Sequence, residues 1–520
     1  MSIILSSQLK KHMKIIKYIY PLITMWSSLL YIYLREIYLV PPQQIFRFMF
    51  LFAVIFTVLI GITYAITKNM ELSGLLVFLI SMAMLTNQRF FYTVLGISLI
   101  SLVGARLIFL VRKSKFPESA PELIISSVVF TMFLFLIFTV GKMTINIPRA
   151  NTQPADALIT SPSQVNRPDI YYIILDGYES ADAMKTYLEY DNTRFIADLE
   201  SRGFEVSKDA FSNYPITILS LSSSLNMDYL DKSTKDIKEK KEWWLLSDSM
   251  KNNRVQEILR SFDYKIIEIT AWETSSFGEN QLHPYLIETN EFEKFFIAST
   301  GLTYLDPLLG EIVAFPSFDM HRKYVTSGLE MIKAKSKEEG PKFIYAHLIS
   351  PHPPFVFDKD GNPVNPPYRY NTLDAMEYSG TRQEYRDGYV QQVQFINHNI
   401  LDVVDEIIIN SATPPIIILQ GDHGAGLYTD LNSSEKACIN ERFSILLAVY
   451  SPTAPKGWMA KDITPVNIFR SIFNEYFHAD YELLPNRQYF VSGGQIYNFE
   501  DVTSRIFSTC NISPQDVFTK

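Results

Sequence analysis

Cysteine is nearly missing from this chain of 520 residues, which has only Cys438 and Cys510, both in its second half. Two cysteines exclude a disulfide framework as the main source of stability. One bridge between them fits if that half lies outside the cytoplasm; two separate buried thiols fit otherwise. Positive charge is also scarce after residue 150. Residues 1–150 hold 14 Lys and Arg against 4 Asp and Glu, a surplus of ten positive charges; with −8 for the whole chain, residues 151–520 carry −18. So acidic a globular part excludes nucleic acid as its natural partner. No internal repeat or low-complexity tract appears, which excludes solenoid and fibrous architectures.

Charge of either sign is sparse in residues 1–145, where five apolar stretches occur at 15–34, 48–66, 72–85, 91–111 and 123–140. Most approach the roughly 20 residues needed to cross a bilayer; the third is short and only modestly hydrophobic. Arg106 stands near the end of the fourth stretch, where a long side chain can reach the interface. Lys10, Lys11, Lys14 and Lys17 precede or open the first stretch. Lys68 follows the second, and Arg112, Lys113 and Lys115 follow the fourth. The opposite loops hold only Arg35, Arg47 and Arg89. The positive-inside rule then puts the N-terminus in the cytoplasm and everything after Lys142 outside. A cleaved signal peptide does not fit, because further spans follow the first. Residues 146–167, with Pro154 and Pro162, read as a linker. Residues 168–520 read as the extracytoplasmic domain.

That domain alternates strand and helix patterns. Apolar runs at 170–175, 343–349, 416–419 and 444–450 predict buried strands. Helical periodicity falls at 193–202, 253–262, 324–335 and 386–409. The alternation predicts an α/β fold with a mostly parallel central sheet. Three strands end on polar constellations, where an open α/β sheet places its chemistry. The first ends on Asp176-Gly177-Tyr178, the second runs into Ser350-Pro351-His352-Pro353-Pro354-Phe355, and the third ends on Gly421-Asp422-His423-Gly424. An oxygen ligand beside a nitrogen ligand suits a divalent metal.

A fourth constellation, Asn213-Tyr214-Pro215-Ile216-Thr217, opens a helical stretch through Leu219, Ser222 and Asn226. Pro215 disfavours helix before it. Thr217 then falls in the first turn, where free N–H groups favour an anion. A hydroxyl there can be deprotonated by a bound metal and attack phosphorus or sulfur. Each residue also has a plain structural reading. Asp176 can cap a turn, Thr217 can simply start a helix, and His352 can pack on Phe355. His347 fits either an inner strand position or a second ligand site. Ser220 and Ser222 are close enough to compete with Thr217 as nucleophile. His283, His321, His398 and His478 have no motif around them and read as structural or exposed.

The order Asp, Thr, His, Asp-His over most of residues 168–500 resembles the alkaline phosphatase/sulfatase superfamily. Five spans followed by such a domain is similar to the lipoteichoic acid synthases and the phosphoethanolamine transferases of bacterial envelopes. The resemblance implies a membrane helix bundle followed by a sulfatase-like domain, in the bacterial cytoplasmic membrane. It implies Asp176, Thr217, Asp422 and His423 as ligands of a divalent ion (Mn²⁺, Zn²⁺ or Mg²⁺), with Thr217 also the nucleophile. His352, His347 and Asn213 become candidates for substrate binding. The implied partners are a membrane lipid donor and an envelope glycan or lipid acceptor, with water as acceptor in the hydrolase alternative. The chain departs from true sulfatases, whose Cys or Ser is followed by x-Pro-x-Arg. Here Ile218-Leu219-Ser220-Leu221 follows Thr217, which argues against sulfate-ester hydrolysis by formylglycine. A two-metal site would need further Asp and His ligands, for which only His347 and His352 stand as candidates.

Overall fold

The computed structural model describes residues 40–85, 167–234, 243–271, 279–492, 495–508 and 510, with positions 22, 25, 26 and 29–33. The expected spans at 91–111 and 123–140, most of 15–34, and nearly all of the linker lie outside the described residues. The chain forms two compact units. Met1–Arg149 joins Ile287–Pro316 in the first, and Ala150–Leu286 joins Ser317–Lys520 in the second.

In the first unit the helix Ile45–Thr67 covers the expected second span. Its 23 residues reach about 34 Å, enough for a bilayer core. Much of its apolar surface is uncovered: 17% of its apolar window is buried, and Phe50, Val58 and Ile66 are more than half exposed. It stops at Lys68, in the left-handed conformation. The helix Met70–Leu85 covers the expected third span and is shorter, at 16 residues. Among the described residues one helix is therefore long and apolar enough to cross a membrane, and a five-helix bundle is not seen there.

The first unit also takes in a segment from later in the chain. Residues 287–316, assigned by the sequence reading to the outer domain, pack with the N-terminal helices. The helix Glu291–Ala298 begins with a capping box between Asn290 and Glu293. Phe292, Phe296 and Ile297 share a core with Leu29, Tyr33, Ile45, Phe48 and Phe52. The sequence pattern hides this, since an aromatic-rich amphipathic helix reads the same whether it covers a sheet or another helix.

The second unit is built on a seven-stranded sheet. The strands are β1 (Ile170–Leu175), β2 (Phe204–Val206), β3 (Lys265–Thr270), β4 (Glu279–Asn280), β5 (Lys342–Leu348), β6 (Ile416–Gly421) and β7 (Leu447–Tyr450). They lie in the order β2-β7-β6-β1-β5-β3-β4. β1 runs parallel to both β5 and β6, and β3 runs parallel to β5. β7 is antiparallel to β6, which is how a mostly parallel sheet takes an edge strand of the other sense. Every residue of β1, β5 and β6 is buried. That explains their continuous apolar runs, since helices cover both faces. The expected strand 444–450 overran at its start, because the short helix Ile439–Phe443, an isolated bridge at Ser444 and two irregular residues precede β7. β3 went unread because Lys265 and Glu268 interrupt its apolar pattern. Glu268 is buried and takes a hydrogen bond from Gln256 Nε2 at 2.9 Å.

The register positions the chemistry. Leu175 of β1 pairs with Leu348 of β5 and with Gly421 of β6. Three adjacent parallel strands therefore end at one level, and the chain leaves all three on the same edge.

Candidate active site and metal centre

Asp176 is the first residue beyond β1. Its backbone N–H bonds to Leu348 O at 3.0 Å, and its carbonyl accepts from His352 N at 2.9 Å. The β5 loop is thereby tied to the tip of β1. Gly177 follows with φ +69°, a conformation that glycine adopts without strain. Its N–H donates to Asp422 Oδ1 at 2.9 Å, which joins the tips of β1 and β6. At Gly424 a side chain is excluded, since a Cβ would lie 2.0 Å from Glu441 O. Close backbone approach here lets the loop after His423 fold back onto the helix Ile439–Phe443.

The expected ligands converge. Asp176, Asp422 and His423 are each at most 1% exposed. His423 Nδ1 lies 2.9 Å from Gly424 O, so Nδ1–H donates there and the Nε2 lone pair faces the site. That Nε2 is 3.5 Å from Asp176 Oδ1, 3.6 Å from Asp422 Oδ2 and 3.2 Å from Thr217 Oγ1. Ligand atoms around a tetrahedral ion at roughly 2.0–2.1 Å stand about 3.3–3.4 Å apart, and these separations bracket that edge. Asp176 Oδ1 and Asp422 Oδ2 are buried without a hydrogen-bond partner. Orphaned carboxylate oxygens are costly unless a cation completes them. The donor set of two carboxylates, one imidazole and one hydroxyl thus fits a divalent ion.

Thr217 is the first residue of the helix Thr217–Asn226, whose preceding residue, Ile216, is extended and provides no side-chain cap. The uncapped helix start faces the cluster with its free donors. Ser220 and Ser222 lie further along the helix, fully buried; Ser222 donates to Leu246 O at 3.3 Å.

His347 points to the cluster from β5 and meets Asp176 Oδ2 at 2.9 Å. It supports the carboxylate from behind while Oδ1 faces the site. His352 Nδ1 lies 2.6 Å from Pro353 O, and its ring is 5.9 Å from that of His423. Asp176, His352 and His423 form one potential ligand group; Asp176, His347 and Asp422 form another. Burial alone would raise the Asp176 carboxyl, but the imidazoles of His352, His347 and His423 outweigh it and hold it well below the usual carboxylate range. Burial works to lower the His352 imidazole, yet the Asp176 and Asp374 carboxylates raise it above its ordinary value. His423 is lowered, by burial and by Arg442, which keeps the neutral ring that metal ligation requires.

The structure does not bring Asn213 to this cluster. Its Nδ2 donates to Arg487 O at 2.9 Å, and its Oδ1 accepts from Val466 N at 3.0 Å. Val466 lies in the first turn of the helix Pro465–Phe477, so the Asn213 amide is engaged at that helix start and not with Asp176, Asp422 or His423. His283, His398 and His478 are exposed, and His321 is buried with Nε2 2.8 Å from Ile349 O. Cys438 and Cys510 form a disulfide with Cα atoms 5.5 Å apart.

Two residues escaped the sequence reading. Arg442 is buried and donates from Nε to Pro215 O at 2.7 Å and from Nη1 to Gly424 O at 3.3 Å and Asp374 Oδ2 at 2.5 Å. One guanidinium therefore holds the loop before Thr217, the loop after His423 and the carboxylate nearest His352. Asp374 Oδ2 is 3.8 Å from His352 Nε2. Neither residue sits at a strand tip, so the pattern that exposed the others gave no signal.

Comparison with known proteins fits this geometry. The model of the sulfatase family matches residues 168–474. Among curated proteins none matches. The chain is similar to the C-terminal periplasmic domain of EptC from Escherichia coli, with TM-score 0.42, 13% identity, and coverage of 65% of this chain and 93% of that one. It is also similar to the integral membrane protein lipooligosaccharide phosphoethanolamine transferase A (EptA) from Neisseria meningitidis, with TM-score 0.39, 13% identity, and coverage of 85% and 76%. The 2-O GAG sulfatase BT1596 gives TM-score 0.38, 11% identity, and coverage of 61% and 72%. The family model spans more than half of the chain, including all three strand tips and Thr217, and so the chain belongs to the sulfatase family and is an enzyme of the alkaline phosphatase/sulfatase superfamily.

Proposed function

We propose that the chain is a metal-dependent phosphotransferase of the bacterial cytoplasmic membrane. It moves a phospholipid head group, of phosphoglycerol or phosphoethanolamine type, from a membrane lipid to an envelope glycan or a second lipid. The observation that carries this reading is the Thr217 hydroxyl, 3.2 Å from His423 Nε2 at an uncapped helix start. In the first half-reaction Thr217 Oγ forms the bond to phosphorus and its proton passes to solvent. The phosphorus–oxygen bond to diacylglycerol breaks, and that oxygen takes a proton from His352. In the second, an acceptor hydroxyl attacks phosphorus and gives its proton to His352, the bond from phosphorus to Thr217 Oγ breaks, and Oγ takes a proton back from solvent. A divalent ion (Mn²⁺, Zn²⁺ or Mg²⁺) on Asp176, Thr217, Asp422 and His423 supplies a lowered hydroxyl pKa and neutralises charge at phosphorus.

The apolar exposed helix Ile45–Thr67 supports a membrane anchor. The disulfide supports an oxidising compartment outside the cytoplasm. Family membership favours a second reading, a hydrolase with water as acceptor on the same residues. The lack of Pro and Arg after Thr217 turns that reading towards a phosphodiesterase rather than a sulfuric ester hydrolase.

The test is intact-mass measurement of the full chain after separate incubation with phosphatidylglycerol and phosphatidylethanolamine. A phosphoglycerol or phosphoethanolamine adduct mapped to Thr217 is expected, and its mass names the group. Turnover without any adduct, or an adduct on another residue, overturns the covalent route.

A further inference from the structure

The segment Ile287–Pro316 interrupts the catalytic chain, yet it folds with the N-terminal helices. Its ends are zipped together, with Ile287 N donating to Ile312 O at 2.9 Å and Ala314 N to Ile287 O at 3.0 Å. It grips one end of the helix Ile45–Thr67 by polar contacts. Arg47 Nε donates to Glu293 Oε1 at 2.6 Å, Arg47 Nη2 to Glu288 O at 2.6 Å, and Phe292 N to Gln44 Oε1 at 3.1 Å. Aromatic packing continues the contact, with ring centroids of Phe48 and Phe296 5.5 Å apart and those of Phe52 and Phe296 5.6 Å apart.

The distal half of this segment is apolar on two faces. Leu302, Leu305, Leu309 and Val313 pack against the shared core. Tyr304 in the 3-10 turn Gly301–Leu305, Leu308 in the short helix Asp306–Leu309 and Ile312 in the turn after it are 84%, 77% and 44% exposed. A surface segment with one side on a core ordinarily carries polar residues on the other. Apolar residues on both sides mean that a second apolar phase covers the outer one. The same unit identifies that phase. The helix Ile45–Thr67 exposes Phe46 and Phe50 at 61% and 73%, within one turn of Arg47, which the segment holds. An apolar helix exposed to that extent needs a bilayer, and the segment sits at its end. A tyrosine at this level matches the aromatic belt of membrane proteins.

We infer that residues 301–313 form an interfacial membrane-seated element, with Tyr304, Leu308 and Ile312 inserted at the boundary between head groups and acyl chains. The occupant of this face is the lipid surface at that end of the helix Ile45–Thr67. Anionic head groups are not its basis, because Lys294 is the one basic residue between 287 and 316 and it pairs with Glu291 at 3.0 Å. The element gives the catalytic unit a second lipid attachment beyond its linker. This inference rests on the membrane reading of the helix Ile45–Thr67.

The two readings separate in one experiment on the full chain in phosphatidylcholine nanodiscs. The only two cysteines are bridged, so single cysteines introduced as Leu308→Cys, Phe50→Cys and Asp360→Cys can be labelled with an environment-sensitive fluorophore. The expected result is a blue-shifted emission for Leu308→Cys and Phe50→Cys, quenched by spin-labelled lipid, and no quenching for Asp360→Cys. Admixture of phosphatidylglycerol should leave the Leu308→Cys emission unchanged. If Phe50→Cys is quenched while Leu308→Cys behaves like Asp360→Cys, the interfacial element is refuted and the membrane helix stands. If Phe50→Cys is not quenched, the membrane reading fails and the inference falls with it.

Discussion

Arg442 Nη1 lies 2.5 Å from Asp374 Oδ2, with the two side chains 3% and 8% exposed. The pair links the helix Ile439–Phe443 to the loop beside His352, and the same guanidinium reaches the backbones flanking Thr217 and His423. Removing one partner leaves a buried charge uncompensated. Arg442→Met should therefore destabilise the second unit by about 3–5 kcal/mol, read by urea unfolding. The double variant Arg442→Met with Asp374→Asn should recover part of that loss, because no unpaired charge remains. Equal stability of the single and double variants would show that the pair is not coupled.

Thr217→Ala should abolish the covalent adduct and nearly all turnover while the fold stays intact. Thr217 makes no capping bond in its own helix, so the stability cost should fall at or below the roughly 0.5–2 kcal/mol of a lost cap. Thr217→Ser should retain measurable turnover. Ser220→Ala should be neutral or slightly stabilising, since the Ser220 hydroxyl is buried without a partner. Activity retained in Thr217→Ala and lost in Ser220→Ala would reassign the nucleophile.

His347→Phe should weaken metal binding by about 10–100-fold, the usual effect of losing a partner that orients a ligand. Its imidazole holds Asp176 Oδ2 at 2.9 Å. Asp422→Ala should lower metal content further, because it removes a ligand and also the acceptor of the Gly177 N–H. Metal stoichiometry by elemental analysis after dialysis gives the ranking, independently of turnover. Unchanged metal content in Asp422→Ala would remove it from the ligand set.

Burial pushes the Glu441 carboxyl up to about 8 from its ordinary 4.5. A folded-state value above the unfolded one means that the native state holds the proton more tightly. The associated stability is full below about pH 4.5 and is lost as pH rises through about 8. Asp176 and Asp374 act in the opposite sense, being held below the usual carboxylate range. Their contribution is present above about pH 4 and fades as pH falls. Unfolding free energy measured from pH 5 to 9 should decline towards the alkaline end. Glu441→Gln should flatten that decline, since it keeps an acceptor for Tyr428 N and Thr429 Oγ1 but has no proton to lose. An unaltered slope in that variant would assign the decline to other groups.

A reporter active only outside the cytoplasm, fused after Asn151, should be active, and one fused near Lys113 should be silent. The expectation rests on loop charges alone. The reverse pattern would end the five-span topology.

The strand tips were legible because the physics that makes them is local. A strand buried on both faces must be apolar throughout, and a carboxylate at its end gains nothing from the core. Asp176, Asp422 and His423 therefore stood out from residues 170–175 and 416–421 without any knowledge of pairing. Thr217 was legible through Pro215, which sets where the helix starts. What sequence could not decide was register and long-range partnership. Leu175 lies beside Leu348 and Gly421 only because three strands separated by long stretches of chain pair in one alignment. That alignment brought isolated carboxylate and imidazole groups together. Asn213 belongs to the same motif as Thr217, yet tertiary packing turned its amide to Val466 and Arg487. Arg442 and Asp374 carry no local pattern, since a buried ion pair is written in two distant positions and visible only when they meet. The segment 287–316 makes the point most fully. Its amphipathic sequence demands an apolar partner, and only the folded chain reveals that the partner is the helix Ile45–Thr67 rather than the sheet.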